Sequence, residues 1–349
     1  MLKLAGGIVE RGYAVDLVLA RARGEYLSEI PKKVRLVDLK ASRDLFSLPS
    51  LVGYLRREVP EILLSGLHTN IIAIVARTMA GVPTRLIVSE RNTFSVRTKS
   101  FSSDIRMRLM PSLVRLLYPF SDWIVAVSNG VARDLVETIG IPKEQVTVIY
   151  NPVITPELKT KALETLDYPW FKPGQPPVIL SVGRLTAQKD FATLISAFVK
   201  VRETHDARLL ILGEGDERQS LEAQVRRLDL DQYVSFPGFI ANPYPYMRDA
   251  TVFVLSSKFE GLPGSLIEAL FCGTSLVATD CPSGPREILC DGDFGQLVSV
   301  GDSTSMAQAI IRALSKNVFI PTEESWKRFE LEAIVDQYIE LFFGRGTFT

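Results

Sequence analysis

The stretch 178-VILSVGRLTAQKDFATLISAFVKVRETHDARLLILGEGD-216 decides the fold. It opens on Val178–Val182, a short β-branched and apolar run of the kind buried on both faces of a parallel sheet. An amphipathic run over about 190–204 follows, then a second strand-like run, Arg208–Leu212. Strand, helix and strand in that order make a parallel βαβ unit. The alternation continues toward the C-terminus: Tyr233–Phe236, Val252–Leu255 and Ser275–Ala278 read as strands, and about 216–228, 264–271 and 303–315 as helices. A last amphipathic helix fits 325–343.

Upstream the alternation breaks over Asn151–Pro177, which carries Pro152, Pro156, Pro169, Pro173, Pro176 and Pro177. Before that break it is present again. Ala14–Leu19, Val34–Leu39, Ile62–Leu64, Arg85–Val88, Trp123–Val127 and Val146–Ile149 read as strands, with helices at about 47–58, 69–80, 104–118 and 129–139. The expectation is an α/β protein of two Rossmann-like domains, 1–155 and 178–324, joined by a linker at 156–177. The 349-residue length also suits two domains.

Composition excludes several classes. At 46% hydrophobic and 23% charged, the chain is too apolar to be disordered. Lys+Arg and Asp+Glu are both 40, and a zero balance argues against a dedicated nucleic-acid binder. The zero hides an asymmetry: residues 1–150 hold 21 basic and 14 acidic side chains, and residues 151–349 hold 19 and 26. Opposite-sign halves suggest different partners. Three cysteines without a CxxC pair argue against a disulfide framework or zinc site and suit a reducing cytosol. Only two histidines are present, and no apolar run approaches the ~18 residues of a membrane span. The N-terminus is interrupted by Lys3, Glu10 and Arg11, unlike a signal peptide.

In doubly wound sheets ligands bind past the carboxyl ends of strands. After Val178–Val182 come Gly183, Arg184 and Lys189, a loop whose two cations suit a diphosphate. After Val252–Leu255 come Glu260 and a helix start at Pro263–Gly264, whose free N–H groups and positive end would face the same edge. Glu268 lies one turn into that helix among Leu266, Ile267, Ala269 and Leu270; so apolar a setting demands a partner, which a ribose diol supplies. Gly213-Glu214-Gly215-Asp216 resembles the start of a dinucleotide fingerprint but lacks its third glycine, and reads as a tight turn. His68 stands before helix 69–80. Residues 85–115 interleave Arg85, Arg91, Arg97, Lys99, Arg106, Arg108 and Arg115 with Phe94, Phe101, Met107, Leu109, Met110 and Leu113, a pattern that suits either an anionic membrane surface or an ordinary packed helix.

Taken together the motifs resemble the retaining glycosyltransferases of the large family four, which have the two-Rossmann GT-B fold with the domains facing a cleft. The matching stretches are VILSVGRLTAQKDF, LLILGEGDERQSLE, VSFPGFIANPYPYM, VFVLSSKFEGLPGSLIEALFCGTSLVATDCPSGPREIL, SWKRFELEAIVDQYIELF, GYAVDLVLA, IVSERN, WIVAVSNGVARDL and VTVIYNPV. SERN and SGPREIL resemble bacterial members that build lipopolysaccharide, O-antigen, capsule or lipid-linked oligosaccharides. The resemblance implies a nucleotide-sugar donor, expected to be UDP-linked, a lipid-linked or saccharide acceptor, and no metal or other cofactor. Arg184 and Lys189 would neutralise the donor diphosphate, Glu268 would hold the ribose, and Glu260 would bind hydroxyls of the transferred sugar. Gly183, Gly264, Ser265, Leu266 and Gly215 would line the donor, His68 would reach its sugar from the first domain, and Ser128 and Asn129 would line the acceptor side. Helix 325–343 would cross back onto the first domain, and the enzyme would work in the cytoplasm, against the inner face of the membrane. Rival readings are a non-catalytic nucleotide-sugar binder and a nucleotide-sugar 2-epimerase. The resemblance also implies an absence. Family members begin with a strand and a glycine-rich loop, whereas Met1 already lies in the helix that follows them, so the first domain is expected to lack its first, central strand and the chain to be a shortened, poorly soluble and weakly active form.

Overall fold

The computed structural model describes residues 1–23, 27, 29–66, 69–94, 105–315 and 322–344. It divides into two compact units, one formed by Met1–Pro152 with Leu331–Thr349, the other by Val153–Glu330. The C-terminal helix Leu331–Phe343 thus belongs to the first unit.

The second unit is built on one six-stranded sheet: β7 (Val178–Val182), β8 (Arg208–Leu212), β9 (Val234–Gly238), β10 (Val252–Leu255), β11 (Ser275–Thr279) and β12 (Gln296–Val298). All neighbours pair in parallel, in the order β12-β11-β10-β7-β8-β9. Successive strands step outward from β7 on one side, then from β10 on the other, so the order reverses between those two. That reversal is the switch point of a doubly wound sheet. The strands read as continuous apolar runs because both faces are covered. Ile179, Leu209, Ile211, Val252 and Val254 join Leu194, Phe198, Ala309 and Ile310 from the flanking helices in one buried cluster. Helix Phe191–Arg202 begins at Asp190, whose φ of 50° sets the chain's entry, and ends with Lys200 and Arg202 near its negative pole.

The first unit holds β1 (Asp16–Leu19), β2 (Arg35–Asp38), β3 (Ile62–Gly66), β4 (Arg85–Glu90), β5 (Trp123–Ala126) and β6 (Val146–Val148). These also pair in parallel, but as two sheets, β1-β2 and β3-β4-β5-β6. No ladder joins β1 to β3 among the described residues. Shared helical layers hold the two sheets in register. Helices Leu48–Glu58 and Asn70–Ala80 pack Leu51, Leu55 and Ile72 against Val18, Val37 and Leu63. On the opposite face, helices Leu2–Glu10 and Leu331–Phe343 pack Leu4, Ile8, Val335 and Phe342 over Ile87, Val125, Ile62 and Leu64.

Three expectations need revision. The stretch 156–177 is part of the second unit rather than a free linker: Tyr168 packs against Tyr246 with ring centroids 5.8 Å apart and bonds Ser235 Oγ at 3.1 Å. The single helix 325–343 is two, Glu323–Lys327 and Leu331–Phe343. Between them Phe329 O accepts both Val153 N–H and Ile154 N–H, which fixes an extended step and stops the helix. The helix 129–139 turns from α to a wider π-turn at Asp134–Ile139.

Helix Leu2–Glu10 approaches its partner at Gly7, where a Cβ would lie 2.5 Å from Val335 Cγ2. Gly7→Val is therefore expected to destabilise the chain by about 1–3 kcal/mol through overpacking, read by urea unfolding. An unchanged midpoint would show that the two helices can separate freely.

Candidate functional site

The loops after β7 and β10 lie side by side at the switch point, and the residues singled out in the sequence gather there. Gly183 N–H donates to Leu212 O at 3.0 Å, Leu185 N–H to Glu214 O at 2.8 Å, and Glu217 N–H to Leu185 O at 2.9 Å. Two glycines permit this stitching. A Cβ on Gly213 would run into the carbonyl oxygen of Gly183, and one on Gly215 into that of Leu185. Gly215, expected also to line the donor, thus serves to seat the 183–185 loop. Arg184, at the crest of that loop, is exposed and makes no ion pair among the described residues.

Lys189 is committed differently. Its Nζ donates to Glu260 Oε1 at 2.6 Å, and both side chains are largely enclosed. Gly183 leaves room for its stem, since a Cβ there would sit 3.3 Å from Lys189 Cε. The same Glu260 oxygen accepts Ser257 Oγ at 2.7 Å. The two loops are tied at three further points. Lys258 N–H donates to Gln188 O at 2.8 Å, Gln188 Nε2 donates to Phe259 O at 2.9 Å, and Ser256 Oγ donates to Lys189 O at 2.7 Å. An ion pair between Lys258 and Asp190, 3.6 Å apart, closes the outer side. Neither Ser257 nor Gln188 was singled out by sequence reasoning; the only signal was their position beside Glu260 and Lys189.

Helix Gly264–Cys272 starts at Pro263 with no side-chain cap. Gly284 seats its entry, because a Cβ there would lie 2.5 Å from Pro263 Cδ, and Ser283 Oγ donates to Gly261 O at 2.8 Å. Gly264 and Ser265 are half-exposed in the first turn, with open space beside Gly264. Leu266 follows Ser265 in that first turn. Its side chain is wholly buried and its N–H donates to Pro263 O at 3.2 Å. Glu268 is half-buried one turn on. Burial first, and then the charge of Glu268, push the Cys272 thiol up to about 12. Burial first, and then the charge of Glu260, do the same to Cys281. Both thiols are therefore held protonated.

In the first unit, Ser128 is buried and caps helix Asn129–Arg133, its Oγ accepting Val131 N–H at 3.2 Å. Asn129 is exposed beside it. His68 lies outside the described residues, as does the stretch 95–104 of the basic segment. At the end of β4 a polar group appears that sequence reasoning used only as a family mark. Buried Glu90 accepts Tyr118 Oη at 2.9 Å on one oxygen and Arg91 N–H at 3.1 Å on the other, while Asn70 Nδ2 donates to Tyr118 Oη at 3.0 Å.

The arrangement can bind an anion at an exposed guanidinium and a helix N-terminus, and a polyol at two carboxylates. The chain is similar to known proteins. Residues 1–156 match the family described as Glycosyltransferase Family 4, and residues 176–316 match Glycosyl transferases group 1. A Campylobacter jejuni protein, N-acetylgalactosamine-N,N'-diacetylbacillosaminyl-diphospho-undecaprenol 4-alpha-N-acetylgalactosaminyltransferase, is 37% identical over 69% of this chain and 63% of its own length. A Salmonella typhimurium lipopolysaccharide 1,6-galactosyltransferase is 29% identical over 57% of this chain and 54% of its own. The alignments thus span between half and two thirds of these relatives. The solved structure of Anabaena HepE with UDP and glucose superimposes with a TM-score of 0.75 at 19% identity, over 97% of this chain and 95% of that one. At that identity the match concerns the fold, and GT-B glycosyltransferases share it.

Removing one member of an enclosed ion pair leaves the other's charge uncompensated. Lys189→Met is therefore expected to lower stability by about 3–5 kcal/mol, and adding Glu260→Gln to recover part of the loss. Urea unfolding of the two variants checks this; a double variant no more stable than Lys189→Met would show that the pair carries no coupling.

Proposed function

Since the chain belongs to the family 4, group 1 glycosyltransferases, we propose that it moves a hexose or N-acetylhexosamine from a UDP-linked donor to a lipid-linked or polysaccharide acceptor, with retention and without a divalent metal. The observation that carries this reading is the convergence at the β7–β10 reversal of Arg184, Lys189, Glu260 and the start of helix Gly264–Cys272. As the bond from anomeric carbon to phosphate oxygen breaks, negative charge grows on the departing nucleoside diphosphate. The free guanidinium of Arg184, the spare donors of Lys189 and the N–H groups of Gly264 and Ser265 stabilise it, the work a metal does elsewhere. Glu268 accepts the ribose hydroxyls and Glu260 those of the sugar. The Campylobacter relative's name, with its N-acetylgalactosaminyl group and diphospho-undecaprenol acceptor, supports this substrate class.

The acceptor side is assigned to the first unit, with Ser128 ordering the turn that presents Asn129. The same unit carries the basic surplus and an exposed apolar ridge: Leu113, Leu116 and Phe120 are 41%, 65% and 58% exposed, spaced along one side of helix Ile105–Leu117 and the turn after it. No helix among the described residues is long and apolar enough to cross a membrane. The ridge and its flanking cations are proposed to rest on the anionic inner face of the membrane.

Three outcomes are expected. Screened against UDP- and GDP-sugars with membrane extract as acceptor, the chain turns over a UDP-sugar and continues in EDTA. Arg184→Ala lowers kcat/KM by about one to two orders of magnitude, from a charge-assisted bond of roughly 1.5–3 kcal/mol. Donor binding without transfer would leave a non-catalytic binder; loss in EDTA restored by Mn²⁺ would overturn the metal-free reading. In flotation, anionic vesicles retain the protein and release it as salt rises. Equal retention by neutral vesicles would reduce the ridge to ordinary surface.

A further inference from the structure

We propose that Ser257, supported by Gln188, is a positioning residue that decides which oxygen of Glu260 meets the transferred sugar. The inference rests on the reading of Glu260 as the sugar binder. Both hydrogen bonds to this carboxylate fall on one atom: Oε1 accepts Lys189 Nζ at 2.6 Å and Ser257 Oγ at 2.7 Å. Oε2 accepts none among the described residues, although Glu260 is only 7% exposed. Oε2 is not one of the described buried polar atoms that lack a partner, so it keeps an opening to solvent through which a sugar hydroxyl can reach it as donor. The carboxylate is thus divided: Oε1 is held by the protein and Oε2 is kept for the substrate.

The two partners of Oε1 differ in their other duties. Lys189 also faces the donor's diphosphate, so its hold on Glu260 is shared with the ligand. Ser257 has no second duty. It is 0% exposed, its one hydroxyl proton goes to Glu260, and its own carbonyl accepts Thr279 Oγ1 at 2.6 Å, which pins its backbone from β11. The turn from Ser257 to Glu260 is held from the other side by Gln188, whose Nε2 donates to Phe259 O at 2.9 Å and whose carbonyl accepts Lys258 N–H at 2.8 Å. The terminal torsion of a glutamate is broad and nearly two-fold, so packing alone orients it weakly. Without Ser257 the carboxylate turns, and Lys189 and the sugar compete for the same oxygens.

The test separates an effect through Glu260 from general damage to the loop. The probes are UDP, which lacks the sugar, and the UDP-sugar that the wild-type chain turns over in the screen above. Ser257→Ala is expected to leave UDP affinity within about twofold and to lower kcat about tenfold or more, the loss of one hydrogen bond to a charged group. On a Glu260→Ala background the same change is expected to cost less than about twofold further, because coupled residues are not additive. Gln188→Ala, at a half-buried position, should show the same pattern more weakly and decides the matter if Ser257→Ala does not fold. Additive losses, or a fall in UDP affinity parallel to the fall in kcat, would overturn the positioning role. A wild-type chain that turns over no UDP-sugar would instead refute the functional reading on which the inference rests.

Discussion

The reversal of strand order between β7 and β10 is the constraint from which the rest of the second unit follows. Parallel pairing obliges every strand to end on one edge, and every connection to return across a face of the sheet. Connections from β7 and from β10 leave in opposite directions, so only between these two strands is the edge left uncovered. The 183–190 and 256–263 loops emerge there as neighbours. Their residues are far apart in the chain, yet four hydrogen bonds join them, from Ser256, Lys258 and Gln188 at the periphery to Lys189 and Glu260 at the centre.

Charge is distributed unevenly over this pair of loops, and the imbalance has chemical consequences. Lys189 and Glu260 neutralise each other in an enclosed setting, where either alone would be unfavourable. Arg184 is left outside the pair and open to an anion. A site that must hold a diphosphate and a neutral sugar side by side needs both arrangements: net positive charge where the phosphates lie, and a balanced, oriented carboxylate where hydroxyls bind. The glycines serve the same end by different means. Gly183 makes space for the stem of Lys189, and Gly213 lets the backbone of the neighbouring loop approach closely enough to hold the first in place.

The first unit reaches a similar edge by less regular means. Its strands form two sheets rather than one, and the alignment of those sheets comes from helical layers that cover both. At the end of β4, Glu90 accepts Tyr118 Oη and the backbone N–H groups of Arg91 and Asn92.

Much of this was legible in the chain. Strands buried on both faces must be apolar throughout, so Val178–Val182, Arg208–Leu212 and Val252–Leu255 were read at their observed bounds. The alternation of strand and helix determined the parallel class, and that class determined which ends of the strands to search. Arg184, Lys189 and Glu260 could be picked out because they follow apolar strands at the edge where ligands bind, and Glu268 because a carboxylate in an apolar helical run needs a partner. What the chain alone did not determine was partnership. β12, three residues beginning with a glutamine, has no periodicity to reveal it and exists because β11 offers it an edge. The break in the last helix depends on Val153 and Ile154 donating to Phe329 O. Gly215 reads as part of a tight turn, but nothing in the chain shows that the backbone of Leu185 lies against it. Lys189 looked like a free cation until Glu260, 71 residues away, was found on its ammonium group. Propensity and pattern act over a few residues, whereas a hydrogen bond between two loops depends on where the sheet brings them, and only the tertiary structure decided that.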